Sequence, residues 1–147
     1  MAAKKRHPGK KFFTPAEANA TLPLVRAIVT DITALARELR ERQERLARIR
    51  PPERGRLGDA YEEELRQVRE ELEHDRERML GYVEELSRLG VELKDADTGL
   101  IDFPSRMNGR EVYLCWRLGE PDVAHWHELN AGFTGRQKLL AGPVKQP

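Results

Sequence analysis

The chain has 147 residues, of which 39% are hydrophobic, 35% charged and 6% aromatic, with a formal net charge of +1. That length predicts one domain. Because the charged fraction is well above the usual quarter, part of the molecule should be elongated and solvated. The longest apolar run is far short of the roughly 20 residues that a membrane span requires, and the N-terminus lacks the apolar segment of a secretory signal. We therefore expect a cytoplasmic protein without a membrane partner.

The first eleven residues form a basic segment without apolar periodicity, which predicts a disordered arm over residues 1–11. Its cationic side chains are Lys4, Lys5, Arg6, Lys10 and Lys11. Such an arm is either a solvated tail or a segment that binds phosphate groups. If it binds phosphate groups, nucleic acid would be a partner. Aromatic residues do not interleave with these cations, so we favour the solvated tail.

Two long helices are predicted to form a hairpin over residues 14–90. The first begins at the run 14–17, where a hydroxyl N-cap, a proline and a glutamate make a capping box, and it ends before Pro51. Pro23 lies deep enough in this helix to predict a kink or a restart. The second helix runs from about Asp59, as its N-cap, to residue 89, and Gly90 provides a left-handed C-terminal cap.

Apolar residues recur at spacings of three and four on both helices, so we expect an antiparallel coiled coil. Gln43 and Asp75 interrupt the stripe, and each either fixes the register or is a tolerated surface residue. A second apolar line consists of Ile28, Leu35, Ile49, Leu80, Tyr82 and Leu89. Burying this line calls for a homodimer that forms a four-helix bundle. Alternatively, the protein's own sheet covers the line, which would not account for Leu35 or Ile49.

After residue 90 the pattern changes to alternation, which predicts a small antiparallel β-meander over residues 91–128. Asn108-Gly109 is the signature of a two-residue turn, because both positions need a positive φ. This turn places Asp102 opposite Cys115 and Arg106 opposite Glu111. The face that points to the core then carries Ile101, Phe103, Met107, Val112, Leu114 and Trp116.

The last strand of the meander is oriented by its hydrophobic pattern. Placing Ala124 and Trp126 on the core face sends His125 and His127 to the polar face. The residues that follow are rich in glycine and predict loops, with a C-terminal tail over residues 137–147. Within these loops, the run 132–136 presents amides and a guanidinium that could bind an anion.

The polar face of the sheet is a candidate metal site. His125 and His127, two residues apart on one strand, point the same way, and Asp102 completes a set of two histidines and one carboxylate. Such a set suits zinc, iron(II) or manganese, and an open position on the metal would activate water. The alternative is a solvated pair of histidines. A shift of the last strand by one residue would turn both imidazoles into the core.

Two further hypotheses concern the same face. Arg106, Tyr113, Cys115 and Arg117 are a candidate set for binding a carboxylate or phosphate, although a cross-strand glutamate gives Arg106 a structural partner. A cysteine nucleophile needs a nearby imidazole and an electropositive setting. Asp102, directly opposite, would instead raise the pKa of Cys115, so a small buried cysteine is the simpler interpretation.

Several runs of the chain are distinctive enough to compare with a known family. They are FFTPAEAN (12–19), VELK (91–94), GLIDFP (99–104), VYLCWRLGE (112–120) and HWHE (125–128). On these runs the chain resembles an uncharacterised bacterial family catalogued only as a domain of unknown function (DUF2203), over about residues 12–136. The resemblance implies the limits of the domain, and it carries over no activity, ligand or catalytic residue.

These signals together predict an α+β protein with one domain over residues 12–136. A long antiparallel two-helix coiled-coil hairpin is followed by the small antiparallel meander. The function we infer is a non-catalytic, oligomerising binding or adaptor module, with a homodimer formed through the hairpin. The alternative is a metal-binding protein or metal-dependent enzyme that uses His125, His127 and Asp102.

Overall fold

Two helices precede a five-stranded antiparallel sheet in the computed structural model, which describes residues 10–51 and 58–140. The elements are α1 (Pro15–Arg48), α2 (Asp59–Leu89), β1 (Glu92–Asp95), β2 (Leu100–Met107), β3 (Arg110–Arg117), β4 (His125–Glu128) and β5 (Gln137–Lys138). The α+β class and the meander are confirmed, because the strands neighbour one another in chain order. No helix in the described part of the chain is long and apolar enough to cross a membrane.

Helix α1 begins as the capping signal predicts. The Thr14 hydroxyl accepts a hydrogen bond from the Glu17 backbone N–H at 3.1 Å, and the Glu17 carboxylate accepts one from the Thr14 N–H at 3.0 Å. The helix continues through Pro23, so the predicted restart is wrong. Pro23 is exposed, whereas Leu22 and Val25 on either side of it belong to the hydrophobic core. Their packing holds the helix together although proline lacks one N–H.

Helix α2 starts one residue earlier than predicted and ends as predicted. Gly58 is the N-cap and Asp59 the first helical residue, while Gly90 ends the helix with a φ of 89°. The helices pack against each other and run antiparallel, since Arg42 of α1 pairs with Asp75 of α2, whereas Arg45, further along α1, pairs with Glu64, further back on α2. The hairpin architecture follows from these contacts.

The register of the sheet agrees with the sequence prediction. Asp102 pairs with Cys115 and Arg106 with Glu111 across β2 and β3, and the turn between these strands has positive φ at Asn108 and Gly109. Cys115 in turn pairs with His125 of β4. Both histidines of β4 therefore lie on the face of the sheet that carries Asp102, as expected.

The sheet extends beyond the predicted meander. Gln137 and Lys138, which the sequence assigned to a C-terminal tail, form β5 and pair with Trp126 and His125. The Leu139 N–H also donates to the carbonyl of Ala124 at 2.9 Å. This strand was missed because two residues are too few to show alternation, and it is stabilised by pairing with the edge of β4.

The apolar face of the sheet and helix α1 share one core. Its members include Phe13, Leu22, Val25, Val29, Ile32, Leu86, Ile101, Phe103, Leu114 and Trp116. Met107, predicted on this face, is only half-buried because it lies at the end of β2. The position of Gly99 shows how closely the layers meet, since a Cβ there would lie 2.9 Å from Val29 Cγ1.

The second apolar line of the hairpin is largely covered within one chain. Leu35 is 2% exposed, so the expectation that it needs a second copy is wrong. The turn between β1 and β2 reaches this level of α1, where Asp97 forms an ion pair with Arg40. Leu80, at 64% exposure, is the member of the line that stays uncovered, and Ile49 is half-buried.

Candidate functional sites

The far end of the hairpin is one candidate surface, and we call residues 36–51 and 58–75 the hairpin arm. The core shared with the sheet ends at Ile32 on α1, and Leu35 is the last fully buried residue of that helix. The apolar stripe continues along the arm, where Val68 and Leu72 of α2 are buried and the other members are only half-buried. Its half-buried members are Leu39, Leu46, Ile49, Tyr61 and Leu65.

The two helices of the hairpin arm carry opposite charge. Residues 36–50 contain six arginines and three glutamates, whereas residues 59–75 contain eight acidic residues and two arginines. Some of these charges pair across the hairpin, as between Arg45 and Glu64 at 3.9 Å. Asp75, at the expected leucine position, is buried beside Arg42, while Gln43 is exposed. The polar layer is therefore a buried Asp75 paired with a partly exposed Arg42, and this pair links the two helices.

The second candidate site lies on the face of the sheet opposite the core. Five polar residues occupy one continuous cross-strand row, with one residue on each strand. They are Glu92, Asp102, Cys115, His125 and Lys138. Because paired residues project from the same face, the register alone gathers these side chains.

Three side chains of this face converge in a buried cluster. Donor atoms of Asp102, Cys115 and His127 all lie within 4.8 Å of one another, and the three residues are 2%, 0% and 2% exposed. His127 pairs with Tyr113 in the next row of the sheet and reaches Asp102 diagonally across β3. We call these three residues the buried cluster.

Burial sets the protonation chemistry of the buried cluster. It raises the pKa of Asp102, although His127, Cys115 and Lys94 act in the opposite direction. Burial, followed by the charge of Asp102, raises the pKa of Cys115 to about 12. The sulfur is thus held as a thiol that hydrogen-bonds to the carboxylate, which is the wrong state for a nucleophile.

Both ring nitrogens of His127 face oxygen acceptors. Nδ1 lies 2.7 Å from the carbonyl oxygen of Glu128, and Nε2 lies 3.1 and 3.0 Å from the two carboxylate oxygens of Asp102. A carbonyl oxygen only accepts hydrogen bonds, so Nδ1 carries a hydrogen. Nε2 is thereby left facing a carboxylate.

His125 belongs to a different network. Its Nδ1 lies 3.0 Å from a guanidinium nitrogen of Arg136, which donates to it. Arg136 also forms a 2.7 Å ion pair with Glu120 and donates to the carbonyl of Cys115 at 3.3 Å. The structure therefore brings Asp102 and His127 together with Cys115, whereas His125 contacts Arg136.

The Arg136–Glu120 pair was not predicted from the sequence. Burial acts to raise the pKa of Glu120. The hydrogen bonds from Arg136 and from the Arg117 backbone outweigh that effect, so the pKa lies below its ordinary value. The only signal that pointed to Arg136 was its place in the glycine-rich run 132–136. Here its guanidinium binds groups of its own chain.

The four residues of the candidate anion site are not brought together. Tyr113 donates to the Glu92 carboxylate at 2.9 Å, and Cys115 is in the buried cluster. Arg106 lies 4.0 Å from the ring centroid of Phe12. Arg117 lies 4.7 Å from that of Phe133. Each arginine stacks on its own aromatic ring, and the two contacts are at different places on the face.

The basic arm is described only at its end. Lys10 forms a 3.3 Å ion pair with Glu111, and Lys11 lies 4.9 Å from the ring centroid of Phe13. Lys4, Lys5 and Arg6 lie outside the described residues. Nucleic-acid binding by this arm stays a prediction, and the two described lysines contact the body of the protein.

Comparison with known proteins adds one finding. A family model described as an uncharacterized conserved protein (DUF2203) matches residues 11–139. Neither a curated protein nor a solved structure matches the chain.

Proposed function

This chain belongs to the DUF2203 family of uncharacterized conserved proteins, and we propose that it is a non-catalytic binding module that self-associates through the hairpin arm. The observation that carries the proposal is the half-buried apolar stripe of the arm, which includes Leu46 and Leu65. The two helices of one hairpin enclose Val68 and Leu72 but leave these other members half-buried, whereas four helices would cover them. On this proposal the occupant of the surface is a second copy of the chain.

Charge supports a second copy as the occupant. The arginine-rich α1 portion of one arm is complementary to the acidic α2 portion of another, so a two-fold axis brings both complementary pairs into contact at once. Exposed side chains are available on both helices, including Arg37 and Arg48 on α1 and Glu62 on α2. The expected product is a four-helix bundle with coiled-coil packing.

The state of Cys115 agrees with a binding role rather than catalysis. Its thiol, with a pKa raised by burial to about 12, offers no thiolate for attack on a substrate. With a single cysteine, the chain uses no internal disulfide, as is usual for proteins of a reducing compartment. We therefore propose a cytoplasmic location.

Sedimentation equilibrium of the full chain tests self-association. We expect the mass of two chains at micromolar concentrations, and the mass of one chain for Leu65→Lys and for the exposed reversal Arg48→Glu. Leu24→Lys is the matched control, because Leu24 is 54% exposed on α1 outside the arm. Circular dichroism establishes that each variant keeps its helices. A one-chain mass for the wild type up to about 100 μM, or equal dissociation by Leu24→Lys, would refute the proposal.

A further inference from the structure

We propose that the buried cluster of Asp102, Cys115 and His127 binds one transition-metal ion, with zinc as the expected metal. The three donor atoms already lie within 4.8 Å of one another. Ligands around a tetrahedral zinc ion, with bonds of about 2.0–2.3 Å, lie at separations of this order. Metal binding is independent of self-association, because the cluster lies on the sheet and not on the hairpin arm.

The ring of His127 is oriented as that of a metal-binding histidine. Histidines that bind metals characteristically donate one ring N–H to a carbonyl or carboxylate, which fixes the tautomer and aims the other nitrogen at the metal. Nδ1 of His127, 2.7 Å from the Glu128 carbonyl, is held in this way. Nε2 consequently points to where Asp102 and Cys115 converge.

The contact between Nε2 of His127 and the carboxylate of Asp102 requires a proton or a cation between the two groups. With Nδ1 donating to a carbonyl, Nε2 and the Asp102 carboxylate meet at 3.0 Å through either a proton or a metal ion. A zinc ion replaces that shared proton and also the proton of the Cys115 thiol. Two protons leave as the ion enters, and no group changes its oxidation state.

The donor types decide which metal the cluster prefers. A thiolate and an imidazole are soft to borderline ligands that favour zinc over magnesium, calcium or manganese. The carboxylate of Asp102 balances the second positive charge of the ion. Three protein ligands leave a fourth position for a small ligand such as water, and burial of all three donors closes the site to bulk solvent.

This ligand set differs from the two-histidine set predicted from the sequence. His125 accepts a hydrogen bond from Arg136 at 3.0 Å, and a metal bound at that nitrogen would have to displace the guanidinium. Cys115 instead lies between Asp102 and His125 in the same cross-strand row. The two ligand sets differ in one residue each, so substituting Cys115 or His125 distinguishes them.

The experiment uses the full chain, purified without an affinity tag and then stripped by chelation. Zinc is titrated in competition with a chromogenic chelator, and cobalt(II) is used as a spectroscopic probe. We expect one zinc ion per chain, a melting temperature raised by several degrees, and a sulfur-to-cobalt charge-transfer band.

Two variants test the ligands. Cys115→Ala should weaken zinc binding about 100-fold or more and abolish the charge-transfer band, while the small alanine preserves the fold. His125→Gln is the matched control and should bind zinc as the wild type does. Circular dichroism of both variants separates loss of a ligand from loss of structure.

The proposal is overturned if the folded wild type binds no stoichiometric zinc, or if the cobalt complex lacks the sulfur band. It is also overturned if Cys115→Ala binds zinc as tightly as the wild type, or if His125→Gln abolishes binding in a folded protein. None of these outcomes depends on whether the chain is a monomer or a dimer.

Discussion

Nε2 of His127 lies 3.0 Å from Oδ2 of Asp102, and each side chain is 3% exposed. The two residues belong to β4 and β2, with β3 running between them, so the contact is diagonal and crosses the middle strand. Asp102 is held in place by its pairing with Cys115, which directs a second donor at the same carboxylate. Three strands thus contribute one side chain each to a single buried polar cluster.

Removing His127 should destabilise the metal-free protein. In His127→Ala the buried carboxylate of Asp102 loses its principal partner, and breaking such a pair lowers the free energy of unfolding by about 3 kcal/mol. Urea unfolding in the presence of a chelator measures the loss, with His74→Ala on the exposed surface of α2 as the control. A loss below about 1 kcal/mol for His127→Ala would contradict this account of the contact.

Replacing Asp75 by leucine should have the opposite effect. The residue occupies an apolar position of α2, is 3% exposed and forms an ion pair with Arg42, which retains access to water. Exchanging a buried charge for a packed apolar group is commonly neutral or stabilising by about 1–4 kcal/mol. Thermal unfolding of Asp75→Leu should therefore show an unchanged or higher melting temperature. Asp31→Leu, on exposed α1 surface, is the comparison, and a clear drop confined to Asp75→Leu would show that the ion pair itself is required.

The lowered pKa of Glu120 predicts that the folded protein loses stability at acid pH. Burial acts to raise its pKa, but the hydrogen bonds from Arg136 and the backbone of Arg117 prevail, and the folded pKa lies below the ordinary value of 4.5. A group with a depressed folded pKa contributes its stability in full above the unfolded pKa, and that contribution disappears as the pH falls through the folded pKa. Glu120 thus stabilises the fold above about pH 4.5.

Urea unfolding from pH 6 to pH 3 should show a shallower acid-induced decline for Glu120→Gln than for the wild type. Glu128→Gln serves as the control: the Arg110 hydrogen bond also lowers the pKa of Glu128, but this pair is exposed, so solvent screening should leave a smaller change than for Glu120→Gln. Parallel pH curves for the wild type and Glu120→Gln would rule out this contribution.

Two glycines should respond oppositely to the same substitution. Gly99 has a φ of +73°, and a Cβ there would lie 2.8 Å from Leu118 Cβ and 2.9 Å from Val29 Cγ1. Gly99→Ala should lower the free energy of unfolding by more than about 1 kcal/mol, since strain and a steric clash add.

Gly81, within α2, has nothing within 4 Å of the position of a Cβ. Gly81→Ala should raise the free energy of unfolding by up to about 1 kcal/mol, because alanine favours a helix. Urea unfolding of both variants checks the two signs.

Much of the architecture could be predicted because its signals are local. The capping box at Thr14 and Glu17, the left-handed Gly90, and the turn at Asn108-Gly109 each require particular residue types at neighbouring positions. The turn also determined the β2–β3 register, and with it the opposition of Asp102 and Cys115. The restart expected at Pro23 was wrong, because the local penalty of proline is outweighed by the packing of helix α1 on the sheet.

The candidate site was predicted in part. The alternation in β4 correctly sent His125 and His127 to the face of Asp102, because side chains on a strand alternate strictly. Which of the two reaches the carboxylate depends on diagonal distances across β3 and on competition from Arg136. That competitor comes from a glycine-rich segment without a periodic pattern, and its approach depends on β5.

Residue order along this chain is enough to specify its helices, its meander and the polar face of its sheet, since capping, turn geometry and alternation act over a few residues. The burial of that face, the pairing of Asp75 with Arg42, and the selection of His127 and Cys115 over His125 are properties of the folded chain. They depend on contacts between residues far apart in sequence, whose distances follow from packing and from the competition among polar groups for partners away from water.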